Sequence, residues 1–140
     1  MRKIETVIGL TAMLAADMSF GHHSYAMFEM GKVDTVGGVL KVLEWTNPHV
    51  WVWVDVEDPK SKATVTYGFE SLSPGQLQRD YGWDRRSLKP GDTVSVDYAP
   101  LKSGNAGGAL IRITLPSRRT LGTRFTAPRE TAAQPEAAKK

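Results

Sequence analysis

From Val50 to Val56 the chain alternates strictly. Val50, Val52, Val54 and Val56 project to one face, and His49, Trp51, Trp53 and Asp55 to the other. Valines at a period of two specify a strand with a core face, because a β-branched side chain packs well on a pleated surface. A polar set is the usual partner of such a face, but here the opposite face carries two indoles and an imidazole. Either a second layer covers it, or it is a binding surface.

The same period recurs on both sides of this stretch. Strand-like sequence runs from Val33 to Trp45, with Gly37-Gly38 predicting a bulge or a sharp bend within it. Asn47-Pro48 marks a turn, so His49 sits where the chain enters the Val50–Val56 strand. A polar connection, Glu57 to Lys62, leads to a third strand over Ala63–Glu70, in which Val65, Tyr67 and Phe69 oppose Thr64, Thr66 and Glu70. Ser73-Pro74 reads as an N-cap followed by a first-turn proline, and Gly82 as the C-terminal cap of a short helix. Trp83 to Leu88 is expected to return the chain to the sheet. After the turn Lys89-Pro90-Gly91-Asp92 come a strand over Thr93–Tyr98, a glycine-rich loop over Ser103–Gly108, and a last strand over Ala109–Leu115. That loop is followed by a strand and not by a helix, which argues for a hairpin and against a phosphate cradle.

Three strands, a short helix and two strands is the order of a small OB-like five-stranded barrel, an all-β architecture that hides its edges by closing. The chain of 140 residues has room for one such core. Its ends read differently. Met1-Arg2-Lys3 and the apolar run from Ile4 to Leu14 have the form of a secretory signal peptide, with Ser19-Phe20-Gly21 placing small residues where a signal peptidase reads; Ala15-Ala16 offers a competing cut. The run is too short for a permanent membrane span, so no transmembrane segment is expected in the mature chain. Ala, Pro, Glu, Gln and Lys dominate after Thr126, the composition of a disordered tail. The expected organisation is a signal peptide at 1–21, a barrel with an N-terminal arm at 22–125, and a tail at 126–140.

Removing residues 1–21 leaves 16 basic against 13 acidic residues, still a net charge of +3. That is far from the dense cationic stripe of a nucleic-acid binder, so the stacking potential of Trp51 and Trp53 does not point to nucleic acid. The chain has no cysteine, which excludes disulfides and thiolate metal sites. An exported chain without cysteine fits a bacterial periplasm.

The three histidines fall in two places: His22 and His23 at the expected new N-terminus, and His49 after the Asn47-Pro48 turn. A mature N-terminal histidine offers its α-amine and ring Nδ1, and one more imidazole completes a three-nitrogen set suited to Cu(II). A Gly21-His22-His23 start would instead wrap the ion through the amine, two backbone nitrogens and the third-position ring. Met27 offers a soft thioether to Cu(I), as does Met30, and Glu70 a carboxylate able to orient an imidazole. The bland alternative is that the paired histidines are solvated and His49 closes its own turn. A second functional class is a binding module, in which Trp45, Trp51, Trp53 and Tyr67, beside Asn47, line a groove for a small apolar ligand or a partner protein. Catalysis has thinner support, since there is no His-Glu-x-x-His, no Gly-x-Ser-x-Gly and no acid paired with Glu70. A carrier or accessory protein is the more economical expectation.

Taken together, His22-His23-Ser24 with Phe28, Glu44-Trp45-Thr46-Asn47-Pro48-His49, Glu70 with Ser73-Pro74, Gly82-Trp83, Leu88-Lys89-Pro90-Gly91-Asp92 and the Gly107-Gly108 hairpin resemble a family of small exported bacterial proteins, the domain of unknown function six-one-five-two. The resemblance spans His22 to about Leu121. It implies secretion and a small β-barrel, and supplies no activity. The chain departs at Gly21, where such proteins typically show alanine.

Overall fold

The computed structural model describes residues 24–123. The expected signal peptide, His22, His23 and the tail after Thr126 lie outside them. Six strands and one helix follow in order: β1 (Asp34–Glu44), β2 (Trp51–Glu57), β3 (Thr64–Glu70), α1 (Pro74–Tyr81), β4 (Thr93–Pro100), β5 (Gly107–Thr114) and β6 (Thr120–Gly122). The sheet order is β3-β2-β1-β4-β5-β6, and β3 also pairs with β5, so five strands close into the expected barrel.

The core side of β2 is the one the alternation specified, with Val50, Val52 and Val54 all fully buried. They pack with Leu40, Phe69, Val96, Leu110 and Ile113 from the other four strands. α1 is bounded as its caps require. Ser73 Oγ accepts from the Gln76 amide, and Gly82 sits at φ 71° with its N–H donating to Leu77 O. Its one buried residue, Leu77, joins Leu72, Trp83 and Leu88 in the same core.

Four local expectations change. Gly37 and Gly38 hold regular register with Ser95 and Val94, and the irregularity falls later, between Leu40 and Val42. What glycine permits at position 38 is close approach, because a Cβ there would lie 2.4 Å from Asp55 O. The segment Trp83–Leu88 forms no strand; it is a turn pinned by Asp84, which fills the barrel with Trp83 and Leu88. β5 begins at Gly107, inside the glycine-rich stretch, since Gly107 and Gly108 are the residues that meet the neighbouring strands. Finally, β6 was not legible. It pairs with Arg112–Thr114 of β5 beyond the three residues, Gly107–Ala109, that β3 occupies, and Trp83 Nε1 fixes it by donating to Gly122 O at 2.9 Å.

Ahead of β1, Ser24–Met27 forms one 3-10 turn and the arm then crosses the barrel's outer surface. Phe28 is buried against Ala99 and Ala109, with Tyr25, Leu101 and Ile111 packed around them. The backbone is tied on both sides of that ring, as Lys102 N donates to Met27 O and Glu29 N to Pro100 O.

Candidate functional site

The outer face of β2 is neither covered by a second layer nor simply displayed to water. Trp51 and Trp53 are both half-buried, and their rings stack on one another with centroids 5.5 Å apart and planes 16° from parallel. Trp53 reaches across three strands. Its Nε1 donates to Glu44 Oε2 of β1 at 3.1 Å, while its benzo ring lies over Gly68 of β3, where a Cβ would approach Cζ3 to 2.6 Å. Register explains the fit, because Trp53 is directly opposite Gly68. The sheet itself supplies the bed on which the indole lies. Beyond Trp53, Asp55 accepts from Thr66 Oγ1 and pairs with Lys41. The Thr66 hydroxyl, with help from the Lys41 ammonium, holds the Asp55 carboxyl below the usual carboxylate range.

At the other end of the ladder stands His49. The Asn47-Pro48 peptide is cis. Both residues are exposed, so the turn stands out from the barrel, with His49 directly before buried Val50. His49 Nδ1 is turned against Glu70 Oε1, a histidine–carboxylate pair. The imidazole is about a third exposed and the carboxylate only 11% exposed. Glu70 is the register partner of Trp51, which is why a residue at the end of β3 meets one just ahead of β2. With Nδ1 turned to Glu70, Nε2 is the ring nitrogen left for another partner, the arrangement found where a carboxylate orients a metal-binding histidine.

A single row of register partners runs round the barrel through this point: Ala99, Ala109, Glu70, Trp51 and Glu44. The arm occupies the first two positions through Phe28, and His49 is held at the third. The strand under the arm is therefore two spacings from β2, roughly 10 Å at the usual separation of neighbouring strands.

The remaining sequence candidates divide. Met27 is exposed on the arm. Trp45 and Tyr67 pack against the core, and Tyr67 meets Tyr98 edge-on at 6.2 Å, so these two do not share a surface with Trp51 and Trp53. The four-aromatic groove is thus reduced to a pair. Among the described residues no group of three or more His, Cys, Asp or Glu side chains is placed to hold a metal ion. Two contributors to this face escaped the sequence reading, Glu44 and Gly68. An acid ending one strand and a glycine inside another are their only local signals, and neither means anything until the register is known.

Comparison with known proteins supplies a family and no activity. The sequence model of a family described as of unknown function, DUF6152, matches residues 11–111. No curated protein matches the chain. Among solved structures it is similar to the crystal structure of the ZRD-deleted mutant of TiaS in complex with agmatine, at 15% identity and a TM-score of 0.43. That alignment covers 70% of this chain and 24% of the other, so this chain spans about a quarter of that protein's length. No helix among the described residues is long and apolar enough to cross a membrane.

Proposed function

The chain belongs to DUF6152, a family of unknown function, and from that premise we propose that it is an exported, periplasmic copper-binding or accessory protein, whose site pairs His49 with the His22-His23 start of the processed chain. The observation that carries this reading is the close pairing of His49 Nδ1 with the Glu70 carboxylate in a partly exposed ring. It leaves Nε2 as the nitrogen free to meet a metal and lets the carboxylate set the ring's orientation. The arm's anchorage over Ala109, next to Glu70, supports it too, since His22 and His23 directly precede the described part of that arm. The donor set is one imidazole from the barrel with the amine and imidazoles of the amino end, a nitrogen-rich set that suits Cu(II) over harder cations.

The test is a Cu(II) titration of full-length, correctly processed protein, followed by tryptophan quenching and electron paramagnetic resonance. His49→Ala should weaken Cu(II) binding at least tenfold, and Glu70→Ala should weaken it by about tenfold or more, the usual effect of losing a carboxylate that orients a metal-bound histidine. Unchanged affinity in His49→Ala would refute the site. Mass spectrometry of the mature amino end fixes which nitrogen donors exist.

One observation favours a second reading. The half-exposed Trp51–Trp53 stack, edged by exposed Val42, suits a small apolar ligand or a partner protein. In that case Trp51→Ala abolishes ligand capture while leaving any Cu(II) signal intact.

A further inference from the structure

The sequence holds five methionines, and only Met27 and Met30 lie beyond residue 21. Both are on the arm, and both are exposed, at 52% and 38%. Phe28 between them is 3% exposed. The arm is therefore anchored by one ring while two flexible apolar side chains beside it stay in water. Their backbone is not loose. Met27 O accepts from Lys102 N at 2.9 Å, Lys102 Nζ donates to Ala26 O at 2.7 Å, Glu29 N donates to Pro100 O at 2.8 Å, and Lys32 N donates to Glu29 O at 2.9 Å. Lone exposed hydrophobics need no explanation. A fixed backbone strip that carries both of these thioethers in water, within eight residues of His22-His23, is a different pattern.

We propose that Met27 and Met30 form a thioether site for Cu(I), separate from the imidazole site and serving the other oxidation state of the same metal. The proposal rests on the proposed function's choice of metal, copper, and not on His49 as a ligand. Its chemistry is distinct. Thioether sulfur is a soft, neutral donor that selects Cu(I), whereas imidazole and amine nitrogens suit Cu(II). Sulfur of this kind also takes up no proton in the ordinary pH range. A thioether site therefore persists at pH 5.

The experiment is an anaerobic competition of full-length processed protein against a chromophoric Cu(I) chelator at pH 7.5 and pH 5, with Ag(I) as a redox-inert second probe. A parallel Cu(II) titration at pH 7.5 uses the same samples. The test variant is Met27→Leu/Met30→Leu, which keeps volume and apolarity at two exposed positions. The expected result is at least a tenfold loss of Cu(I) and Ag(I) affinity at pH 5 in the double variant, with Cu(II) affinity within about twofold of the parent. His49→Ala should do the reverse. Wild-type Cu(I) affinity in the double variant overturns the thioether site, as does Cu(I) binding that vanishes at pH 5. If Cu(II) binding ignores His49 while Cu(I) binding still requires the methionines, the imidazole reading falls and the thioether site stands.

Discussion

Gly68→Ala tests the way Trp53 lies across the sheet. A Cβ at position 68 would sit 2.6 Å from Trp53 Cζ3, 3.0 Å from Cη2 and 3.1 Å from Cε3. Ordinary carbon contacts begin near 3.5 Å, so the ring must lift by about 1 Å. The atoms in the way belong to the far end of one side chain, which can rotate, but only by giving up its stack on Trp51 and its bond to Glu44. Overpacking of this kind costs about 1–3 kcal/mol, offset by about 0.4–1 kcal/mol from the smaller entropy of an unfolded chain carrying alanine. The net expectation is a loss between about 0 and 2.6 kcal/mol with a middle value of about 1.3, or a fall in Tm of roughly 5–10 °C at that middle value for a domain of this size. Urea unfolding followed by tryptophan fluorescence reads both the stability and the altered indole environment. Trp53→Val removes the obstructing ring, so in that background Gly68→Ala should cost nothing or stabilise slightly, giving a coupling of at least about 1 kcal/mol between the two positions. Equal costs in the two backgrounds would refute the reasoning.

Other positions give sharper or opposite outcomes. Gly107→Ala should cost at least about 3 kcal/mol and show as loss of soluble folded protein or a collapsed Tm, because its φ is 134° and a Cβ there would meet Gly68 O at 2.1 Å, a backbone atom that cannot rotate away. Lys62 adopts φ 61° in the β2–β3 hairpin, so Lys62→Gly should stabilise by a few tenths to about 1 kcal/mol in urea unfolding. Asp58 accepts from Lys60 N, Ser61 N and Ser61 Oγ, and the Ser61 and Lys60 amides hold its carboxyl below the usual range. Its folded pKa is lower than its unfolded one, so its contribution is present above about pH 4 and is lost as pH falls through the folded pKa. Unfolding curves between pH 6 and pH 2 should accordingly show a smaller acid loss in Asp58→Asn than in the parent.

The sequence carried the core more clearly than the surface. Strict alternation over Val50–Val56 placed three fully buried valines and assigned Trp51 and Trp53 to the opposite side. Ser73-Pro74 and Gly82 bounded α1 because capping is local chemistry, readable over a few residues. What escaped depends on register. The bed for Trp53 comes from a glycine fifteen residues away, and β6 is only Thr120–Gly122, three residues with no period of their own, ordered by the length of β5 that β3 leaves unpaired. Of the candidate site, His49 and Glu70 were both nameable from residue type. Their contact was not, since it needs the pairing of Trp51 with Glu70. Trp45 and Tyr67 were misgrouped with the outer indoles because aromatic character alone does not reveal which way a side chain points.

The parallel pairing of β3 with β5 is just three residues long, and two of its partners on β5 are glycines. The other strand pairs of the barrel run antiparallel over five or more positions. A closed cylinder made this way has its shortest seam there, with the fewest backbone pairs to break for the wall to part. Among the strand amides of the barrel, the first to trade their protons for deuterium should therefore lie along the β3–β5 pairing of Gly68–Glu70 with Gly107–Ala109, ahead of those in the antiparallel pairs.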